Sequence, residues 1–261
     1  MKLKSILSKS LVALLLPVLF CFSSTACSKS KGSDGEKEVK SNFTTIKYVG
    51  NSCFYITFSD GTRLVTDPYG SAYATQFGIF PKLEADVITI SHSHADHIAG
   101  IIEVTGKPKN IMPEDLNKTI KVGNVEITGY ASNHVANMGG NTIFVYKENG
   151  LKIVHMGETD NIDSNEVQKA IKDADVILAY AGEYGEVKNK DSFENLNKMN
   201  IKVMIPQHYS INADNIFYGE PTIDKILTEL PQGTKVTKTN EFIVKKGLEK
   251  QFVELSPMDR K

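Results

Sequence analysis

Residues 91–100 read SHSHADHIAG. His92, His94, Asp96 and His97 fall within six positions, in a 261-residue chain that holds only six histidines. In a tight turn, residues at i and i+2 point the same way, so His92 and His94 can share one cation while Asp96 and His97 face elsewhere. The cluster therefore divides between two metals, with two ligands for each. Imidazole and carboxylate suit zinc, iron or manganese, and no thiolate stands among them. Each metal then needs at least one more protein ligand from far along the chain.

Immediately upstream, ADVITI (Ala85–Ile90) is an unbroken apolar run of the kind a buried strand carries. The cluster is thus expected in the loop after the strand's C-terminal end, where α/β proteins place their chemistry. Further upstream, TTIKYV, CFYITF and TRLVTD are short β-branched and aromatic runs, with SDGT turning between the last two. Downstream, strands are expected at 119–122, 125–130, 142–146 and 151–155. The segment DSNEVQKAIKDA predicts a helix, with Asp163 and Glu166 as a capping-box start. DVILAY reads as a buried strand and DSFENLNKM as a helix capped by Asp191. KVMIPQHY reads as strand then loop, and TIDKILTEL as a last amphipathic helix. Many strands with helices mostly in the second half predict an α/β fold of two stacked sheets with helices outside.

The other three histidines also fall at strand ends. His134 lies in the polar loop YASNHVANMGGN, His155 in IVHMGETD three residues before Glu158, and His208 in IPQHYS. Histidines and acids at successive strand ends can converge on one sheet edge.

The N-terminus has a different character. Lys2, Lys4 and Lys9 precede the apolar run LVALLLPVLFCF, which is too short for a comfortable membrane span. SSTAC follows and resembles the lipobox of a bacterial lipoprotein signal. In such signals the residue matching Cys27 is lipidated after residues 1–26 are removed. Ser24 stands where those signals usually carry leucine. A plain secretory signal cut after Ala26 is the alternative, and an uncleaved anchor a third. Residues 27–42 are polar and charged, as in a flexible tether, and 43–261 form the expected domain. The reading places that domain outside the cytoplasm, held to the bacterial membrane through Cys27 alone. Loss of residues 1–26 removes three lysines and no acid, which moves the formal net charge from −1 to −4. No basic stripe marks a nucleic-acid binder.

The motifs TDPY, SHSHADH, NH, HMGETD and PQHY, in that order, resemble the metallo-β-lactamase superfamily of binuclear metallohydrolases. Within it the chain looks most similar to the ascorbate-6-phosphate lactonase-like branch. The resemblance implies an αββα sandwich, two mixed sheets with helices outside, and a site at one sheet edge. It implies that His92, His94 and His134 hold one metal, and that Asp96, His97 and His208 hold the other. Zinc is the first expectation for both, with manganese or iron as alternatives. Glu158 stands where the family carries a bridging aspartate, and Asp67 matches an acid that supports the ligands from behind. The implied chemistry is attack of a metal-bridging hydroxide on an ester, lactone, amide or phosphodiester of a small-molecule substrate, with Asp96 orienting the water and shuttling its proton. Glutamate is longer than aspartate by about 1.5 Å. Glu158 is therefore expected to bridge after a local shift, to bind one metal, or to swing away. Two other readings compete with a hydrolase: a surface lipoprotein that binds metal and ligand without chemistry, and a solute-binding transport component.

Overall fold

The computed structural model describes residues 43–159, 162, 164–182, 189–214 and 220–259. The expected signal, Cys27 and the tether lie outside these residues, as does Asp163.

Two sheets build the domain. The first has six strands: β1 (Thr44–Gly50), β2 (Cys53–Thr57), β3 (Arg63–Thr66), β4 (Val87–Thr89), β5 (Lys109–Ile111) and β13 (Phe242–Val244), in the order β13-β1-β2-β3-β4-β5. The second has eight: β6 (Thr119–Val122), β7 (Val125–Asn133), β8 (Gly140–Glu148), β9 (Leu151–His155), β10 (Val176–Tyr180), β11 (Val203–Gln207), β12 (Val236–Thr239) and β14 (Gln251–Leu255), in the order β12-β14-β11-β10-β9-β8-β7-β6. Both sheets are mixed. β1 to β3 pair antiparallel and β3 to β5 parallel. In the second sheet β6 to β9 pair antiparallel, whereas β9, β10, β11 and β14 run parallel.

The helices are short: α1 (Ala95–Ile98), α2 (Asn165–Ile171), α3 (Asn189–Lys198) and α4 (Ile223–Thr228). The last three answer the helices expected from sequence, but two of their starts differ. The Ser164 hydroxyl accepts from the Glu166 N–H at 3.3 Å, so Ser164 and not Asp163 is the N-cap of α2. α3 begins at Asn189, a buried residue whose amide donates to the Ala181 carbonyl at 2.8 Å. Asp191 therefore sits inside the first turn and is not its cap. The Thr222 hydroxyl accepts from Lys225 at the head of α4.

One apolar core fills the space between the sheets. It takes Ile46, Phe54, Ile56 and Leu64 from the first sheet and Phe144, Tyr146, Ile153 and Leu178 from the second. Burial of such side chains is worth about 1.5–3 kcal/mol each before conformational entropy is charged against it. Polar links cross the same space. The Thr89 and Tyr146 hydroxyls share a 2.7 Å hydrogen bond, which satisfies both inside the core. At the end of β8, the buried Glu148 carboxylate accepts from Thr44 Oγ1, Ser59 N, Ser59 Oγ and Asp60 N at 2.8–3.1 Å.

Strand direction decides where function can sit. β9, β10 and β11 run parallel, and β7, two antiparallel steps from β9, runs the same way. The turns after Asn133, His155, Tyr180 and Gln207 therefore all leave at one edge, opposite Glu148. β3 and β4 are parallel in the facing sheet. The Ser91 carbonyl after β4 accepts from Thr142 N at 2.9 Å, which brings the turns of the first sheet to the same edge.

Candidate metal centre

Each site residue follows a strand. After β4 the chain stays extended through His94 (φ −66°, ψ 146°) and then winds into α1. The tight loop expected for the whole cluster is thus half loop and half helix. His92 and His94 lie on the extended part, while Asp96 and His97 lie on the helical turn. This change of backbone sends the two pairs in different directions.

Two sets of ligand atoms result, each clustered within 4.8 Å: His92, His94 and His134 in one, and Asp96, His97, Glu158 and His208 in the other. These are the two groups expected from sequence, with Glu158 in the second. All are buried except His94 and Asp96, which are part-buried. Glu158 faces both sets. Its Oε1 lies 2.5 Å from both His97 Nε2 and His208 Nε2, and its Oε2 lies 2.9 Å from His134 Nε2. It neither swings away nor confines itself to one side. Gly157 makes this placement possible. Its φ is +60°, and a Cβ there would meet Asn141 Oδ1 at 2.2 Å and Ser91 Cβ at 2.6 Å. Asn141 Oδ1 in turn accepts the Glu158 N–H at 3.0 Å.

A layer of partners behind the ligands sets the tautomers. Asp67 is fully buried at the end of β3. Its Oδ1 accepts Ser91 N–H at 2.7 Å, and its Oδ2 accepts the Ser91 hydroxyl at 2.5 Å and His97 Nδ1–H at 2.9 Å. With its own proton given to Asp67, Ser91 Oγ accepts from His92 Nδ1 at 2.9 Å. His134 Nδ1–H donates to the Val135 carbonyl at 2.8 Å, and His208 Nδ1 pairs with Glu220. Four imidazoles therefore keep their proton on the outer nitrogen and turn Nε2 inward. Among the described residues, Nε2 of His92 and of His134 is buried without a hydrogen-bond partner. A lone pair facing a carboxylate calls for a positive charge between them. Imidazoles oriented by carboxylates and carbonyls are the arrangement that transition-metal sites use. The donor set, nitrogen and oxygen without sulfur, fits zinc, iron or manganese.

The electrostatics agree. Burial disfavours charge on His97, but the Glu158 carboxylate and the Asp67 bond outweigh it, and its pKa is pushed up to about 10. Burial likewise opposes ionisation of Glu158 and Asp96. The charges of His208 and His97 hold Glu158 well below the usual carboxylate range, and the His208 bond with the charges of His97 and His208 does the same for Asp96. The site stabilises positive charge at its centre and keeps its acids ionised.

Other residues at or near the strand ends take lesser places. His155 is fully buried, and its Nε2 donates to the Ser52 carbonyl at 3.0 Å. Tyr209 stacks on Tyr48 in the core at 5.6 Å. A Cβ at Gly139 or Gly140 would meet nothing within 4 Å, so neither glycine is needed for a close approach to the site. Tyr180 borders the site, its ring 5.7 Å from that of His208.

Two contributors, Ser91 and Glu220, were not legible beforehand, and a third, Asn51, stands where relatives often carry a histidine at the floor of the site. Ser91 is hidden beside the motif it supports. Asn51 donates through Nδ2 to the Asp96 carbonyl at 3.0 Å and carboxylate at 3.2 Å, while its own carbonyl accepts His208 N–H at 2.8 Å. Glu220, buried beside His208, is a single acid with no pattern around it. A cleft of about 370 Å³ opens over the centre. Tyr73, Ala95, Met138 and Tyr180 line it together with His94, Asp96, His134, Glu158, His208 and Glu220.

Comparison with known proteins agrees with this geometry. Residues 45–208 match the family model described as the beta-lactamase superfamily domain. The chain belongs to the metallo-β-lactamase superfamily of metal-dependent hydrolases. A UPF0173 metal-dependent hydrolase of Enterococcus faecalis is 24% identical over 231 residues, spanning 75% of this chain and 97% of the relative. Another, from Methanosphaera stadtmanae, is 25% identical over 216 residues, spanning 70% of this chain and 92% of the relative. Among solved structures, a protein of Thermotoga maritima assigned to the Zn-dependent hydrolases of the superfamily superposes with a TM-score of 0.64 at 26% identity, covering 81% of this chain and 98% of that one. The metallo-beta-lactamase fold protein YhfI of Bacillus subtilis shares the fold, with a TM-score of 0.55 at 12% identity over 82% of this chain and 97% of its own.

Proposed function

We propose that the chain is a binuclear hydrolase of an ester, lactone or amide, with a phosphodiester as the alternative substrate. The observation that supports it most is the position of Glu158, with one oxygen toward each histidine set. His92, His94 and His134 would hold one divalent cation, and Asp96, His97 and His208 the other, with Glu158 between them. Zinc comes first and manganese or iron next. Such a pair lowers the pKa of a shared water toward neutrality and polarises the substrate oxygen.

The chain's own residues do the rest. Asp96 borders both the second set and the cleft, with Oδ2 3.4 Å from His208 Nε2 and 3.5 Å from His97 Nε2. Its depressed pKa keeps it ionised, able to take a proton from water and pass it to the leaving group. Asn51 holds its orientation. Tyr73, Ala95, Met138 and Tyr180 give the cleft an apolar wall suited to an acyl group. No lysine or arginine lines it among the described residues. A phosphate ester would find no cationic side chain there, which favours the uncharged acyl bonds. The resemblance to the lactonase-like branch points the same way and places lactones first.

Purified protein loaded with zinc or manganese should hold close to two equivalents and hydrolyse members of an ester, lactone and amide panel faster than bis(4-nitrophenyl) phosphate. Absence of metal from the replete protein would overturn the binuclear reading. Two bound metals with no turnover of any substrate would instead favour the non-catalytic alternative.

The sequence around SSTAC supports a second part of the proposal, that the enzyme works outside the cytoplasm on a lipid anchor at Cys27. In a bacterial host, Cys27→Ser should abolish lipid labelling. Equal labelling of the variant would refute the anchor.

A further inference from the structure

Glu220 is the one buried acid at the cleft that the hydrolytic scheme leaves without a task beyond holding His208. It is 5% exposed. One oxygen pairs with His208 Nδ1. The other, Oε2, is buried and has no hydrogen-bond partner among the described residues, on a residue that lines the cleft. A carboxylate oxygen so placed forfeits its hydration without compensation, a cost that folded proteins seldom carry without a use. Glu148, at the other end of the sandwich, shows the ordinary solution: both of its oxygens accept two hydrogen bonds.

Burial of so polar a group can be explained by a donor that arrives with a ligand. The neighbourhood selects its kind. Asp96 and Glu158 share the cleft with Glu220, and no lysine or arginine lines it among the described residues. Beside Glu220 Oε2 a second anionic group would meet an uncompensated carboxylate oxygen, whereas a hydroxyl or an ammonium would be received. Pairing with His208 fixes Glu220 next to the second set of ligands, so the donor must lie a few bonds from the carbonyl under attack.

We propose that Glu220 Oε2 is a specificity contact that accepts a hydrogen bond from a hydroxyl or ammonium carried by the acyl part of the substrate. The inference rests on the hydrolase reading above. It makes the preferred substrate a hydroxyacyl or aminoacyl ester, lactone or amide, in place of a plain acyl compound. Glu220 is also a positioning residue for His208, so the test must separate the two roles.

Product acids serve as probes, read by calorimetry on zinc-loaded protein: butyrate, 3- and 4-hydroxybutyrate, and 3- and 4-aminobutyrate. At least one substituted acid should bind wild type about tenfold more tightly than butyrate, in keeping with a hydrogen bond to a charged group. The hydroxyl and ammonium arms identify which donor is read. Glu220→Gln keeps an acceptor for His208 and should retain zinc, but its new N–H₂ faces the ligand donor. It should lose the preference for an ammonium, read as the ratio of its affinities for the amino acids and for butyrate within the variant. Glu220→Ala should lose every preference, and any loss of zinc in it measures the positioning role separately. If zinc-loaded wild type binds all five acids equally, or binds none, the specificity contact is refuted. Two equivalents of zinc and turnover of simple esters would leave the hydrolase reading intact in either case. A full ammonium preference kept by Glu220→Gln would refute it too.

Discussion

Each end of the sandwich buries acid, and the two ends treat it in opposite ways. At one end Glu148 closes a turn of the first sheet onto the last residue of β8 and receives four hydrogen bonds from Thr44, Ser59 and Asp60. At the other end Glu158 stands among imidazoles whose protons mostly point away, and Glu220 keeps an oxygen with nothing to accept. The first acid is satisfied by the chain itself, while the others await something that the chain does not supply. The difference separates a carboxylate that stabilises the fold from carboxylates that serve chemistry. A buried charge contributes to stability only when its partners are already in place.

The comparison can be broken most directly by removing each acid in turn. Glu158→Ala should lower hydrolysis by on the order of 1000-fold and release both metals, since the carboxylate touches both sets. The metal-free variant should melt no lower than metal-free wild type. A large fall in melting temperature would mean that Glu158 is structural. Glu148→Ala should do the reverse. It strands Thr44 Oγ1 and two backbone N–H groups, so chemical denaturation should show a loss of about 3 kcal/mol, with metal stoichiometry unchanged.

Asp67 sharpens the contrast within the functional end. It holds His97 directly and His92 through Ser91. Asp67→Asn should weaken metal binding about 10–100-fold in chelator competition, and Ser91→Ala should weaken chiefly the cation of the His92 set, by less. Equal losses of both cations in Ser91→Ala would contradict the relay.

The smallest effect lies at the Glu148 end, where β3 begins. Asp86 accepts Arg63 N, Nε and Nη2 at 2.8–3.1 Å, and Arg63 holds its carboxyl below the usual range. Its folded pKa is depressed, so its contribution is present above the ordinary aspartate pKa and is lost as pH falls through the lower folded value. The pair is partly solvated, so Asp86→Asn should cost at most about 1 kcal/mol at neutral pH and nothing once the carboxyl is protonated. A penalty that persists in acid would show that shape, not charge, is at work.

Much of this architecture could be read from the chain because the deciding residues are local. The H-x-H-x-D-H spacing, the apolar run before it and the strand-end histidines each carry their own signal. Strands β5, β12, β13 and β14 do not. KNI and VTKT alternate weakly, FIV has three residues, and all depend on neighbours distant in sequence for their pairing. The first three lie at sheet edges, where half-exposed residues blur the pattern. Of the supporting layer only Asp67, in TDPY, could be read from the motifs, and the contacts of its other members were hidden. Asn51 reaches Asp96 across 45 positions of sequence, and Glu220 follows His208 in a segment whose sequence shows no periodicity. A ligand can be recognised by its type and spacing, whereas the group that orients it can be any acceptor that the fold brings near.

The common heading of β7, β9, β10 and β11 has a consequence for how such a protein can change. The residues that would hold a cation are borne on segments that follow strands, and the locking contacts of Glu148 are borne on the reverse side. Alterations to the cleft therefore meet little resistance from the packing, and alterations to the packing leave the cleft's chemistry alone. Glu220 lies between β11 and α4, outside any strand, and is tied down by one imidazole. It could be exchanged without rebuilding a strand, so the scaffold can be passed from one substrate to another by rewriting its loops.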